Sequence, residues 1–324
     1  MRAALYQRTG DAHDVLRVDE VERPVPGPGE VRVRVAVSGV NPTDWKTRSG
    51  VTGGDPDRWQ IPHQDGSGTI DAVGDGVDEA RLGQRVWVWM AAAGRRYGTA
   101  AQWTVLPAER ACPLPAAAGF DLGASLGVPA VTAAHCLFAD GELGPESTVL
   151  VAGGAGAVGH YAIELAKHAG ARVVATVSGE EKGRLAAAAG ADLVVNYRQE
   201  GAAEQIRRFA GQVARVVEVA LGANLELDLA VSGPSTVVVT YANEPSDPLL
   251  PVRRCMQANV TLRFVLLYGV PGPQLAGAVT RVQEALEAGA LSTLPVTRFP
   301  LEQVADAQQA VQRGALGKVL VDVP

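Results

Sequence analysis

The chain has 324 residues, 47% of them hydrophobic and 20% charged, a balance that excludes global disorder. A formal net charge of −6 offers no attraction to nucleic acid or to an anionic membrane surface. Three cysteines, Cys112, Cys136 and Cys255, form no CxxC, which argues against a disulfide framework and a thiol-rich zinc knuckle.

At roughly 150 residues per domain the length suggests two domains. The opening MRAALYQRTGDAHD lacks the apolar core of a signal peptide, so a cytoplasmic protein is expected. EVRVRVAV at Glu30–Val37 puts four valines on one face and Arg32 and Arg34 on the other, the period of a half-buried strand. Short strands are predicted at Gly68–Val73 and Arg85–Met90, with Gly/Pro turns around them, and together suggest a compact β-barrel-like domain. The uncharged runs Leu122–Ala139, Ser147–Ile163 and Phe264–Thr280 approach membrane-spanning length, but glycines interrupt each and buried core is the reading taken.

After about Asp121 strands alternate with helices. Strands are predicted at Thr148–Val151, Arg172–Val177, Leu193–Val195, Arg215–Val219 and Thr236–Thr240, and helices at Glu180–Ala189 and Ala202–Phe209. Val-rich strands alternating with amphipathic helices predict a doubly wound α/β fold with a parallel sheet. Leu275, Val279, Val282 and Leu286 mark a later amphipathic helix. A further helix at Leu301–Gln312 leads to the strand Lys318–Val323, expected to return to the first domain. The expected division is 1–121, 122–265 and a return at 266–324.

Gly154-Ala155-Gly156-Ala157-Val158-Gly159 follows a predicted strand and opens a predicted helix. Glycines there allow a sharp turn, close approach to a pyrophosphate and tight helix–strand packing, and the helix N-terminus supplies free N–H groups. Sites selective for NADH place a carboxylate at the tip of the second strand. Here the tip is Val177-Ser178-Gly179, which favours NADPH, with Ser178 as donor and Lys182 as cation. Ser178 as a plain helix cap, a solvated Lys182, and Glu180 holding a ribose are the competing readings.

His63 and Asp65 are the only tempting metal pair, without a nearby third ligand, and no metal is expected. No GxSxG elbow or cysteine signature supports covalent catalysis. Hydride transfer needs no protein nucleophile, because the cofactor carries that chemistry.

With PGPGEVRVRVAVSGVNPTDWKTRSG, PHQDGSGTIDAVGDGV, GVPAVTAAH, AGGAGAVG, GADLVVNYR and GALGKVLV in order, the chain resembles the medium-chain dehydrogenase/reductase superfamily. Within it, the likeness is to the zinc-independent NADPH:quinone oxidoreductase (zeta-crystallin-like) branch. The resemblance implies a GroES-like β-rich catalytic domain plus a Rossmann cofactor domain, and a homodimer. It places Asn41 beside nicotinamide and substrate, where its amide donates to a carbonyl oxygen. Gly153, Gly156 and Gly159 fall in the phosphate turn, Ser178, Lys182 and Tyr197 around the 2′-phosphate, and Thr132 near the nicotinamide ribose.

Departures from zinc-dependent relatives are a non-ligand residue near Thr43 in place of Cys, Gln64 in place of His, and no Cys-rich lobe between Trp89 and Trp103. His63 replaces a usual Gly, Trp45 and Lys46 depart from the common pattern, and Thr240-Tyr241-Ala242-Asn243 replaces a Gly-rich turn. The expected reaction is hydride transfer from NADPH to a quinone or another α,β-unsaturated carbonyl. Asn41, Tyr241 and Lys46 are the candidates for stabilising charge on the acceptor oxygen. An apolar pocket is expected between the domains, lined by Tyr268 and by Phe264 unless Phe264 is core. The rivals are a pathway-specific enone or enoyl reductase and a catalytically idle NADPH-binding protein.

Overall fold

The computed structural model describes residues 1–244 and 246–324. It divides into two compact units, Met1–Val128 with Thr293–Pro324, and Pro129–Ser292. The return to the first unit therefore comes at Thr293, not at 266. Helix Gly272–Glu287 packs on helix Ala157–His168 of the second unit and buries Leu275, Ala278, Val282, Ala285 and Leu286. The first boundary falls inside helix Phe120–Phe138, where the sequence reading had placed it at 121.

In the first unit the long strand Glu30–Val40 organises a seven-stranded sheet. Its alternating Val31, Val33, Val35 and Val37 are buried, as the period-2 pattern requires. One edge pairs with Asp65–Val73. The other pairs first with Trp103–Pro107 and then with Lys318–Asp322. These antiparallel registers set Asp65 opposite Gly39 and Val319 opposite Val40. The end of one strand and the starts of two others thus meet at one point, next to Asn41. Helix Pro42–Ser49 begins there, with Pro42 in its first turn, a position whose missing N–H costs nothing.

The second unit carries six parallel strands in the order Leu193–Asn196, Arg172–Val177, Thr148–Ala152, Arg215–Glu218, Val237–Thr240, Thr261–Phe264. This is the doubly wound 3-2-1-4-5-6 order, with the first strand central. Thr148–Ala152 and Val173–Val177 are buried throughout, as strands covered on both faces are. Helix Phe120–Phe138 is the one described helix long and apolar enough to cross a membrane, and 89% of that stretch is buried inside the protein.

Candidate functional site

The central strand Thr148–Ala152 runs into the glycine turn, and helix Ala157–His168 starts directly after it. Gly153 adopts φ 67°, a left-handed conformation that favours glycine. A Cβ on Gly159 would overlap the Gly153 carbonyl oxygen and the backbone of Gly154, so glycine there lets helix and strand approach. Gly156 is exposed, and a Cβ there would meet only the Gly153 oxygen, at 3.4 Å. Its backbone faces outward beside the N–H groups of Ala157, Val158 and Gly159, which have no acceptor within the helix. Ala155 and Gly154 are buried beneath the turn. Such a cradle fits a pyrophosphate.

At the carboxyl ends of the next two strands, Asn196 pairs with Val177, and Tyr197 N–H donates to the Val177 oxygen at 3.2 Å. That bond brings Tyr197 beside Ser178. Lys182 is exposed on the following helix. Glu180, the competing ribose ligand, is ion-paired with Arg184 at 2.8 Å. Arg198 was not singled out from the sequence; its guanidinium lies 6.0 Å from the Tyr197 ring centroid and adds a cation at these strand ends. Thr132 is buried in helix Phe120–Phe138.

Glu218, at the end of Arg215–Glu218, was also missed. It is buried and accepts from Ala220 N–H and, at 2.9 Å, from Asn224 Nδ2. These bonds fix the following turn, whose Val219 lies against Gly153. Burial and the Glu218 charge push Asp228 up to about 9, so Asp228 is a carboxylic acid at neutral pH. Tyr241 N–H donates to the Glu218 backbone carbonyl at 3.2 Å, and burial pushes its phenol well above the ordinary range. Phe264, expected in the pocket or the core, is instead 66% exposed, because Thr261–Phe264 is an edge strand.

In the first unit Asn41 is buried with both ends of its side chain engaged. Its Oδ1 accepts from Lys318 Nζ at 2.7 Å, and its Nδ2 donates to Asp65 Oδ2 at 2.6 Å. The amide expected to donate to an acceptor carbonyl is thus turned to Asp65. Asp65 Oδ1 accepts from Val128 N–H at 2.8 Å; a Cβ on Gly127 would overlap that oxygen. Burial raises the Asp65 carboxyl and lowers the Lys318 ammonium, while each opposes the shift in the other.

Beside this cluster runs a one-way hydrogen-bond chain. Arg48 can only donate, so the atom of Gln308 facing Arg48 Nε at 3.1 Å is Oε1. Gln308 Nε2 then donates to His63 Nε2 at 3.3 Å. That leaves His63 Nδ1–H to donate to Ser38 Oγ at 2.9 Å. Ser38 donates to Thr99 Oγ1 at 2.8 Å, and Thr99 to the Asp65 carbonyl. His63 is fully buried, and burial first, then Lys318, lowers it to about 3. Its φ of 77° is a left-handed backbone conformation that a residue with a side chain rarely adopts.

A cavity of about 70 Å³ opens in this unit, lined by Tyr6, Asp44, Thr47, Gln60, Pro62, His63, Gln64 and Ala92. Neither Asn41 nor Lys46 is among its lining residues. Lys46 is half-buried on helix Pro42–Ser49, its ammonium 6.0 Å from the Trp45 ring centroid. Tyr241 lies in the other unit. The three catalytic candidates are therefore not gathered around this cavity, and Asp44, which the sequence reading passed over, is.

No group of three or more His, Cys, Asp or Glu side chains among the described residues is arranged to hold a metal ion. Both His63 ring nitrogens are hydrogen-bonded, and Asp65 is occupied by Asn41 and Val128. These donors do not fit a zinc centre.

A family profile described as "Alcohol dehydrogenase GroES-like domain" matches residues 27–116, and one described as "Zinc-binding dehydrogenase" matches residues 157–308. The quinone oxidoreductase of Homo sapiens is 27% identical over 327 aligned residues, covering 99% of this chain and 97% of its own. Among solved structures, an NAD-dependent alcohol dehydrogenase has a TM-score of 0.88 at 26% identity over 100% of both chains. A mycobacterial protein complexed with NADPH has a TM-score of 0.83 at 27% identity over 99% of both. A GroES-like domain followed by a dehydrogenase cofactor domain, in one chain similar along its length to a quinone oxidoreductase, makes this protein a member of the medium-chain dehydrogenase/reductase family.

Proposed function

We propose that the protein is a zinc-free oxidoreductase that uses NADPH to reduce a quinone or another α,β-unsaturated carbonyl. The observation that carries this reading is the exposed glycine turn at Gly156, with Ser178 rather than a carboxylate at the tip of Arg172–Val177. A 2′-phosphate meets no like charge from Ser178, and Lys182 and Arg198 bring cations to the same strand ends. The likeness to a quinone oxidoreductase and to an NADPH complex supports the same choice.

Bound NADPH supplies the hydride. The chain's own groups hold it: Gly153–Gly159 cradle the pyrophosphate, Ser178, Lys182 and Tyr197 the 2′-phosphate, and Thr132 the ribose side. A zinc-free reaction is supported by the commitment of His63 and Asp65 to other partners. A homodimer is supported by the edge strand Thr261–Phe264 and the exposed apolar residues around it.

The test is NADPH and NADH consumption against a panel of 1,4-quinones, enones and enoyl thioesters, with metal analysis of the same sample. Quinone or enone turnover with NADPH, unaffected by chelators, is expected. Restriction to enoyl thioesters would favour a pathway-specific reductase. Tight NADPH binding without oxidation across the panel would mark an idle binding protein.

A further inference from the structure

Two buried acids meet at the carboxyl end of strand Arg215–Glu218, and the proposed chemistry uses neither. Glu218 is 0% exposed, and Asp228, on helix Leu221–Val231, is 1% exposed. Glu218 Oε1 accepts from Ala220 N–H and Asn224 Nδ2, and Val219 N–H also reaches this carboxyl. Asp228 Oδ2 is sealed from solvent, and no N–H or hydroxyl of the described residues donates to it. Its contact is with Glu218: the two carboxyl groups are hydrogen-bonded to each other. Such a bond needs a proton, because a carboxylate only accepts.

That proton sits on Asp228. Three donors favour the ionised form of Glu218, whereas Asp228 has none of its own. Burial and then the Glu218 charge raise Asp228 to about 9. Tyr241 also faces Glu218, with a phenol that burial keeps neutral. The charged groups of the helices packed on Leu221–Val231 are engaged elsewhere. Arg207 donates to Glu204 and to the Ala230 carbonyl, Arg208 to Glu204, and Arg254 to Glu226. Arg253 is exposed, and Glu244 accepts from Gly222 N–H at the start of the helix.

Val219 and Ala220 link the two elements that the acids join. Val219 Cγ1 lies 3.1 Å from the position a Cβ on Gly153 would take, so this link packs on the glycine turn. We propose that Asp228 and Glu218 are positioning residues for the cofactor: the proton they share draws the helix to the strand end, holds Val219 against the glycine turn, and keeps that turn shaped for NADPH. This deepens the cofactor reading above and rests on it.

The consequence is a binding site that alkali loosens. While the proton is present the pair carries one charge and one hydrogen bond. When it leaves, two buried carboxylates face each other with no cation between them, and they repel. Glu218 has no room to retreat, since its strand is paired on both sides and three donors hold its carboxyl. The displacement therefore falls on the helix and on the Val219 link.

NADPH fluorescence titrations of the wild type, Asp228→Asn and Asp228→Ala between about pH 7 and about pH 9.5 test the assignment. Wild-type affinity should weaken about tenfold or more over that range, the order of one buried hydrogen bond to a charged group. In D228N an amide N–H donates to Glu218 at every pH and in nearly the same volume. It should match the wild type within about threefold at neutral pH and keep that affinity in alkali, on the order of the scatter between independent sites. D228A removes the donor, so its affinity should be weak at neutral pH and change little with alkali. Far-UV circular dichroism should stay constant throughout. An infrared difference spectrum of wild type minus D228N should show the C=O band of a protonated carboxyl group at neutral pH, fading through about 9. Absence of that band, an equal alkaline loss in wild type and D228N, or a loss that appears only together with the circular dichroism signal would overturn the positioning role alone. A wild type that shows the band yet leaves NADPH unbound at neutral pH would overturn the cofactor reading and this role with it.

Discussion

Lys318 and Asp65 face each other at 3.6 Å, with side chains 2% and 0% exposed, and Asn41 bridges them with one hydrogen bond to each. The charges are not in direct contact at hydrogen-bond distance; the amide between them satisfies both. The start of two strands and the end of a third are thereby tied together where helix Pro42–Ser49 begins.

Removing one member should expose the cost of the other. Lys318→Met leaves Asp65 buried without its cation and should lose about 3–5 kcal/mol of unfolding free energy, the usual penalty for breaking a buried pair. Asp65→Asn combined with Lys318→Met should lose less than the two single losses together, because neither partner is then left charged. The loss in Lys318→Met should shrink at low pH, where the raised Asp65 carboxyl takes a proton. Denaturant melts of the three variants at two pH values decide this; additive losses would show the residues to be independent.

The glycine turn separates two roles by position. Gly159→Ala sets a Cβ against fixed backbone and should lower the melting temperature, since neither strand nor helix has room to retreat. Gly156→Ala meets only one atom, at 3.4 Å, and should fold normally. Its methyl group occupies the outward face where the pyrophosphate is proposed to lie, so NADPH affinity should fall tenfold or more, about 1.4 kcal/mol. Fluorescence titration and thermal melts of both proteins check the split. Equal NADPH affinity in Gly156→Ala and wild type would remove the phosphate from this turn.

This turn was legible in the sequence because its glycines are needed for local reasons, within seven residues. Arg172–Val177 was legible to the residue, since a six-residue segment rich in Val and Thr and flanked by glycines is too short for a helix and suits a strand. The cluster of Asn41, Asp65 and Lys318 was not. Asn41 and Lys318 are 277 positions apart, and only the antiparallel register of three strands brings them together. Asn41 therefore read as a donor to ligand, when its amide is spent on Asp65. Helix Leu221–Val231 escaped because Gly222 and Asn224 interrupt its pattern, and Glu218 escaped with it.

Cofactor choice rests on the tip of the second strand. Ser178→Asp places a carboxylate where the 2′-phosphate is proposed to bind and recreates the group that holds a ribose hydroxyl pair. NADPH kcat/KM should drop tenfold or more while NADH kcat/KM holds or rises. Arg198→Gln should weaken NADPH selectively by a smaller factor, on the order of one exposed charge-assisted contact. Steady-state kinetics with both cofactors measure each effect. An unchanged ratio in Ser178→Asp would mean that the 2′-phosphate lies elsewhere.

The buried His63 and Asp44 pull stability in opposite directions with pH. His63 takes a proton at an ordinary 6.5 when unfolded and only at about 3 when folded, so its contribution is complete above 6.5 and lost as pH falls toward 3. Asp44 is ordinary at 3.8 when unfolded and about 8 when folded. Its contribution is complete below 3.8 and lost as pH rises through 8. Between about 3.8 and 6.5 the two slopes oppose, each at most about 1.4 kcal/mol per pH unit. His63→Asn, which tolerates the left-handed backbone, should unmask the Asp44 slope, so that stability falls with rising pH across this range more steeply than in wild type. Denaturant midpoints at half-unit pH steps test it; parallel profiles would mean that His63 titrates normally.

The last strand of the parallel sheet, Thr261–Phe264, pairs on one side only. An unpaired strand edge is a template for another strand. Around it the chain exposes Phe264, Leu266, Val252 and Met256, a cost in water that burial against a second copy removes. A two-fold axis across this edge would set the same residues against themselves, the closed arrangement most common among homo-oligomers. Phe264→Asp places a like charge from each copy at that axis. It should shift the protein from dimer to monomer in sedimentation at micromolar concentration. Because Phe264 contributes little to the core, the monomer should retain NADPH binding and melt within a few degrees of the wild type, roughly the scatter of exposed substitutions. A wild type that sediments as a monomer, or a variant that stays dimeric, would place any association of this chain on another face.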